Sequence, residues 1–135
     1  MSLGNSATAI DTVEGCPNTS EKAQELFNKF ELDTITLHNE TFESFFEKSN
    51  RNYDLVYIDG NHDKERTLHY FNLLLDRVHN DSILLFDDIY WSPAMTEAWQ
   101  EIIAHPKVTV SIDTFQWGLI GFRKEQKKEH FNIRL

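Results

Sequence analysis

The chain has 135 residues, one cysteine, 13% aromatic residues and a formal charge of −9. This length suits one domain with a sizeable core, and the acidic charge argues against nucleic acid or an anionic membrane surface as a partner. A single cysteine, no visible signal peptide and no apolar run of about 18 residues together predict a cytoplasmic protein without an internal disulfide or a membrane span.

Short apolar runs alternate with amphipathic segments along the chain. Residues 1–4 read as an expression leader, so the predicted domain, a single and partial one, covers 5–135. Strands are predicted at 7–15, 33–39, 53–59, 82–88, 107–115 and 117–124, and helices at 18–30, 41–49, 64–79 and 93–105. This order predicts an α/β fold with a mostly parallel sheet, covered on both faces, and an antiparallel pair near its C-terminal end.

Four finer expectations concern individual segments. Asn18 is the expected N-cap of the first helix, and Ser92–Pro93 should start the fourth. The strand at 53–59 is apolar on both faces, as a buried central strand should be. The tail at 123–135 is mixed in charge and is expected to be a solvated segment.

Polar residues lie at the carboxyl ends of four of the predicted strands. They are Glu14, Asn39, Asp59 and the pair Asp87–Asp88. Because parallel strands direct their carboxyl ends to one edge of a sheet, these residues predict a shared ligand site. Taken singly, each acid is more commonly a turn residue or a helix cap.

The chemistry of these residues leaves alternatives open. Glu14 could accept hydrogen bonds from a ribose diol, and the three aspartates could hold Mg²⁺ or Ca²⁺ through oxygen ligands. His62, three residues after Asp59, could act as a general base near neutral pH, or it is a surface histidine in a Gly–Asn turn. No Cys/His cluster indicates zinc.

The single cysteine and the three tryptophans have plainer, structural interpretations. Cys16 is expected to be a small buried residue rather than a nucleophile. The tryptophans are expected in the core or in a pocket wall; they are Trp91, Trp99 and Trp117.

Three stretches, TVEGCPNTSEKAQELF, YIDGNHDKERTLHYF and LLFDDIYWSPAMTEAW, resemble class I S-adenosylmethionine-dependent O-methyltransferases. The series EGCP, DGNH, FDDI and FQWGL is similar to that of a small bacterial group related to catechol-type and macrocin-type enzymes. The resemblance implies a Rossmann-like methyltransferase sheet in the strand order 3-2-1-4-5-7-6, S-adenosylmethionine as cofactor and a small-molecule methyl acceptor.

The resemblance also implies roles for individual residues. Glu14, followed by Gly15, matches the acid that holds the adenosine ribose, and Asn39 matches a residue near the adenine. Asp59 matches an acid that lies beside the cofactor and the reacting groups and binds the metal in relatives. Asp87 and Asp88 match a metal-binding pair, in which Asp88 replaces the asparagine of catechol-type enzymes. His62 occupies the place of their catalytic lysine.

One departure from the family concerns the glycine-rich loop after its first strand. Only 5 residues of this chain are glycine, and no glycine-rich turn is present. The chain therefore resembles a methyltransferase truncated before its second strand, with weak or no activity and a possible dimer through unpaired strand edges. The alternative is a non-catalytic binding or oligomerisation fragment of the same fold.

Two further alternatives are disfavoured by motif order. A signalling receiver domain carries its acid pair after the first strand, whereas Asp87–Asp88 follow the fourth predicted strand. A dinucleotide oxidoreductase would carry G-x-G-x-x-G, which this sequence lacks.

Overall fold

The structure is a computed structural model that describes residues 9–134. The predicted leader at 1–4 and the first residues of the predicted strand at 7–15 lie outside the described residues. The chain divides into two compact units, with the boundary between Asn50 and Arg51, and each unit is described by itself. The predicted single domain over 5–135 stays a prediction.

The first unit alternates two strands and two helices. They are β1 (Ile10–Val13), α1 (Pro17–Lys29), β2 (Ile35–His38) and α2 (Phe42–Lys48). The strands pair in parallel, with Ile10 opposite Ile35. The predicted N-cap at Asn18 is wrong: α1 begins at Pro17, and Cys16 is its N-cap. Proline is favoured in the first helical position because the missing N–H has no partner there.

The second unit contains a five-stranded sheet and two helices. They are β3 (Leu55–Ile58), α3 (Lys64–Leu74), β4 (Ile83–Phe86), α4 (Pro93–Ala104), β5 (Val110–Asp113), β6 (Gly118–Gly121) and β7 (Glu129–Asn132). The strand order is β3-β4-β6-β5-β7, and β6 runs antiparallel to both of its neighbours. The predicted α/β class, with a mostly parallel sheet and an antiparallel strand near the C-terminal end, is confirmed.

One face of this sheet forms the core of the second unit. Leu84, Phe86 and Ile120 are at most 1% exposed. The aromatic ring of Phe86 lies 6.3 Å from that of Phe71 on α3 and 6.5 Å from that of Trp99 on α4, measured between centroids. Both helices therefore pack on the face that carries Phe86. The helix start at Ser92 is confirmed, since its hydroxyl accepts a hydrogen bond from the N–H of Met95 at 3.2 Å.

The opposite face of the sheet is apolar and open. Leu55, Tyr57 and Ile83 are 65%, 52% and 43% exposed, and Leu55 lies opposite Ile83 in the β3–β4 pair. We call these three residues the open face. The expectation that β3 is a central strand buried on both faces is therefore wrong. Leu55 and Tyr57 expose one face, and within residues 9–134 the strand lies at the sheet edge with β4 as its only pairing partner.

The C-terminal segment differs from the predicted solvated tail. Glu129–Asn132 form β7, which pairs in parallel with β5 and has every residue exposed. This pairing satisfies the outer edge of β5, so strand formation here follows from the neighbouring strand rather than from burial. Among residues 9–134, no helix is long and apolar enough to cross a membrane.

Candidate functional site

In the first unit, Glu14 lies directly after β1 and is held by its own loop. Its Oε1 accepts a hydrogen bond from the N–H of Cys16 at 2.7 Å. The side-chain amide of Asn39, after β2, donates to the main-chain oxygen of Glu14 at 2.8 Å and to the hydroxyl of Ser20 at 3.0 Å. These bonds bring Glu14 and Asn39 together at the carboxyl ends of two paired strands.

Gly15 is exposed in the loop after β1. A Cβ added there would meet only the carbonyl oxygen of Glu40, at 3.9 Å, which is an ordinary contact. Packing within the chain therefore does not require glycine at this position.

The expectation that Cys16 is a small buried residue is wrong, because Cys16 is exposed. A hydrogen bond from the Thr19 side chain, helped by backbone N–H groups at the start of α1, lowers the pKa of the Cys16 thiol. Its exposure and helix N-terminal position are the usual causes of a more acidic thiol.

In the second unit, β3 and β4 end side by side on acids. Ile58 and Phe86 are paired in register, and the N–H of Asp87 donates to the carbonyl of Ile58 at 3.0 Å. Asp59 and Asp87 therefore follow two paired residues at one end of the sheet. Asp59 is exposed, whereas Asp87 and Asp88 are half-buried.

Tyr57 is a neighbour of these acids that the sequence argument did not identify. Its hydroxyl donates to Oδ2 of Asp87 at 2.6 Å. This hydrogen bond, assisted by partial burial and the negative charges of Asp87, Asp59 and Asp88, raises the pKa of Tyr57 to about 12. Tyr57 precedes Asp59 by two residues and so shares its side of the strand, which is the signal that could have identified it.

His62 lies beside the second acid of the pair. Its Nε2 is 3.7 Å from Oδ2 of Asp88, and its ring stacks on Trp91 with centroids 5.0 Å apart and an angle of 29° between planes. The tryptophans were expected in the core or in a pocket wall. Trp91 is 67% exposed and is not a core residue, whereas Trp99, at 1% exposed, lies in the core.

A buried carboxylate supports the loop that carries Trp91. Asp113, 1% exposed, accepts hydrogen bonds from the hydroxyl of Tyr90, from the N–H of Phe115 at 2.8 Å and from the guanidinium of Arg134 at 3.0 Å. Burial alone would raise the pKa of Asp113, but these donors outweigh it and hold that pKa below its ordinary value. The loop after β4 is thus tied to the β5–β6 turn and to Arg134, two residues after the end of β7.

The described side chains do not form a ready cation site. Within residues 9–134, no group of three or more His, Cys, Asp and Glu residues is placed to hold a metal ion. Both carboxylate oxygens of Asp87 already accept protein hydrogen bonds, one from Tyr57 and one from the N–H of Asp88 at 3.0 Å. The described side chains therefore offer no preformed site for Mg²⁺ or Ca²⁺, and the assignment of Asp59, Asp87 and Asp88 as metal ligands stays a prediction.

Comparison with solved structures shows what this fold is similar to. The methyltransferase PaMTH1 of Podospora anserina, solved with bound SAH, aligns with a TM-score of 0.75 and 17% identity over 89% of this chain and 63% of its own. The O-methyltransferase TomG of Streptomyces achromogenes, solved with SAM, aligns with a TM-score of 0.72 and 12% identity over 88% of this chain and 64% of its own. The chain thus spans just under two thirds of the length of these structures.

A third structure gives the same picture, and the predicted Rossmann-like fold is confirmed. The O-methyltransferase of Bacillus cereus, solved with SAH, aligns with a TM-score of 0.70 and 14% identity over 89% of this chain and 64% of its own. No curated protein sequence matches significantly. The sequence profile described as a methyltransferase domain matches residues 2–89, more than half of the chain. The chain therefore belongs to the methyltransferase domain family.

Proposed function

We propose that this chain serves S-adenosylmethionine-dependent methyl transfer to the oxygen of a small-molecule hydroxyl. The observation that carries the proposal is the imidazole of His62, 3.7 Å from the carboxylate of Asp88 at the ends of β3 and β4. A histidine beside a carboxylate is a suitable proton acceptor near neutral pH. The SAH- and SAM-bound structures that share the fold support the same class of reaction.

In the first unit, Glu14, Gly15 and Asn39 are the proposed cofactor-binding residues. Glu14 uses Oε1 for Cys16, and Oε2, without a hydrogen bond in the described chain, would accept from the ribose hydroxyls. Asn39 uses its amide N–H group within the loop, so its Oδ1 is the atom that would meet the adenine. Gly15 would let the cofactor approach the backbone, and Asp59, exposed at the end of β3, would accept from cofactor or acceptor hydroxyls.

His62 and Asp59 are the proposed catalytic residues. When bound, S-adenosylmethionine supplies a methyl group activated by its sulfonium, and it leaves as a neutral thioether. His62 would take the proton of the acceptor hydroxyl as its oxygen attacks, and later release that proton to water. Removal of such a base typically lowers the rate by about 10²–10⁴-fold.

We propose that this reaction proceeds without a bound cation, because Asp87 is engaged by Tyr57 and by the N–H of Asp88. Metal assistance through Asp59, Asp87 and Asp88 is the competing possibility. Methyl transfer measured with excess chelator and again with added Mg²⁺ or Ca²⁺ separates the two. We expect rates within about two-fold of each other; a large loss with chelator, restored by the cation, would favour the metal.

We further propose that the chain by itself binds the cofactor weakly. The sequence contains no glycine-rich turn for close approach to the methionine part. Calorimetric titration with SAH is therefore expected to give a dissociation constant above about 10⁻⁴ M, or about −5.5 kcal/mol. Micromolar binding would contradict this expectation.

Two variants connect that titration to the site and to its rival. Glu14→Ala should remove the residual binding, whereas Glu21→Ala, an exposed acid on α1, should keep it. If the parent and both variants show no binding at any concentration and transfer no methyl group, the non-catalytic binding or oligomerisation fragment is the better description.

The single cysteine still predicts a cytoplasmic location.

We also propose a weak homodimer through β3. Its outer edge is unpaired among the described strands, and antiparallel pairing with β3 of a second copy is a self-complementary, two-fold contact. Pairing between two strands of 4 residues covers far less than the roughly 800 Å² per partner of a stable dimer, so association should be weak and concentration-dependent.

Sedimentation at about 0.15 M salt tests this dimer, since the charge of −9 opposes association at low ionic strength. Leu55→Glu should keep the chain monomeric. Leu26→Glu, which changes a leucine of similar exposure (52%) on α1, should leave the concentration dependence unchanged. A parent chain that stays monomeric at all concentrations would overturn the proposal.

A further inference from the structure

His62 is held from two directions. Its Nε2 lies within ion-pair distance of Asp88, and its ring is stacked on the indole of Trp91. The side chain keeps 28% of its surface exposed, so the two neighbours restrain the ring without covering it. A free surface histidine would have neither restraint.

The backbone on both sides of this contact is in an uncommon conformation. Asn61, His62 and Asp88 have φ angles of 62°, 35° and 49°, in the left-handed region that favours glycine. Such strain persists where the surrounding structure fixes it, often at functional sites. The strain places His62 and Asp88, from two different loops, opposite each other.

Local contacts hold each loop in that conformation. The N–H of His62 donates to the carbonyl of Gly60 at 2.9 Å. The N–H of Trp91 donates to the carbonyl of Asp88, also at 2.9 Å, so one short turn presents both the carboxylate and the indole. The buried network of Asp113 then anchors Tyr90, the residue next to Trp91.

Trp91 is unusual because its ring packs on the imidazole of His62 rather than in the core. It is 67% exposed, although burial of its indole elsewhere would be favourable. Stacking restricts the ring of His62 to rotation in its own plane, and Asp88 then selects which nitrogen faces it. Asp88 lies nearest to Nε2, at 3.7 Å, which is longer than a hydrogen bond. Its negative charge therefore acts through space and favours the proton on Nε2, so that Nδ1 is left as the proton acceptor.

We propose that Asp88 and Trp91 are positioning residues that hold His62 with Nδ1 ready to take a proton. We call the contacts of Asp88 and Trp91 with His62 the clamp. Its consequence in catalysis rests on the proposed methyl transfer, but the clamp itself is a property of the free chain. It reassigns Asp88, expected from the sequence to bind a cation, to the orientation of the imidazole.

The clamp is tested by NMR of the histidine ring protons in the chain as it exists. The resonance of the His62 ring should be shifted upfield by the indole, and it should disappear from the spectrum of His62→Ala. Trp91→Ala should return it to the position of an unstacked histidine, while Trp91→Phe should keep most of the shift. Trp117→Ala removes another exposed tryptophan (44%) and should leave it unchanged.

The role of the clamp is tested by kinetics of the same variants. Trp91→Ala and Asp88→Asn should lower kcat by roughly 10–100-fold, as expected for a misplaced catalytic group, with KM within about two-fold. Trp91→Phe should recover most of the rate. Asparagine tolerates the left-handed conformation of Asp88, so this variant is expected to fold.

The two readouts separate failure of the clamp from failure of the proposed function. An unshifted His62 resonance in the parent, or a shift that survives Trp91→Ala, overturns the clamp. A shifted resonance with parent-like turnover in Trp91→Ala and Asp88→Asn overturns the positioning role. If the parent shows the shift and His62→Ala turns over like the parent, the clamp stands and the proposed base is wrong.

Discussion

Replacement of Gly118 by alanine should destabilise the second unit by about 1–3 kcal/mol. A Cβ on Gly118 would lie 2.7, 2.8 and 2.9 Å from three ring carbons of Trp99, whereas carbon atoms in contact normally lie about 3.5–4.0 Å apart. The indole would therefore have to move by about 1 Å. Trp99 is 1% exposed and packs on Phe86, the register partner of Gly118, so this movement would disturb the core.

Gly121 in the same strand provides the matched control. A Cβ there would lie 3.8 Å from Cβ of Val110, an ordinary contact, and no described glycine has a positive φ. Gly121→Ala should be neutral or stabilising by about 0.4–1 kcal/mol, because alanine restricts the unfolded chain. Urea unfolding followed by tryptophan fluorescence and circular dichroism would give both free energies of unfolding.

A double-mutant cycle checks that the clash with Trp99 is the cause. Trp99→Phe removes the clashing carbons and also a buried indole N–H that has no hydrogen-bond partner among the described residues. The Gly118→Ala penalty should then shrink by about 1 kcal/mol or more in the Trp99→Phe background. Equal effects of Gly118→Ala and Gly121→Ala, or strict additivity in the cycle, would refute the packing argument.

Three further predictions use the shifted pKa values. Asp113→Asn should lower the free energy of unfolding by about 2 kcal/mol at pH 7. The lowered pKa of Asp113 stabilises the fold above about pH 4, and this stabilisation is lost as the pH falls. The free energy of unfolding should therefore depend less on pH in the acid range in the variant than in the parent. Alkylation of Cys16 by iodoacetamide should reach half its maximal rate at a lower pH in the parent than in Thr19→Val, because the hydrogen bond from Thr19 lowers the pKa of the thiol. Asp87→Asn should bring the pKa of Tyr57 down from about 12 towards its ordinary value, as measured by NMR of the tyrosine ring carbons; an unchanged value would contradict the assigned cause.

Elements with local signals were predictable from the sequence. Ser92–Pro93 starts α4 as expected, because the cap and the proline act within one turn. The start of α1 was predicted wrongly, although the same rule applies to it. Pro17 takes the first helical position, so Cys16 is the N-cap and Asn18 lies inside the helix. These boundaries depend on a few neighbouring residues only.

Elements that depend on distant neighbours were not predictable. The residues of β7 are all exposed and show no apolar alternation, and they form a strand because β5 offers an unpaired edge. The exposure of Leu55 and Tyr57 likewise depends on what packs over their face of the sheet, and the apolar pattern of β3 carries no such information.

The site divides in the same way. The acids at the strand ends could be identified because position along a strand decides which edge they reach. Their partners could not: the stacking of His62 on Trp91 joins two loops through backbone angles that a sequence pattern does not encode. The hydrogen bond from Tyr57 to Asp87 also depends on strand register.

The strand order has a consequence for synthesis on the ribosome. β6 lies between β4 and β5, although it follows both in the chain. A nascent chain that has emerged only as far as β5 therefore has no docking place for that strand, whose buried Ser111 and Asp113 face inward once assembled. We expect completion of this sheet to wait for β6 and then to proceed outward, so that a translational pause before Gly118 would hold an apolar segment in solution where chaperones could bind it.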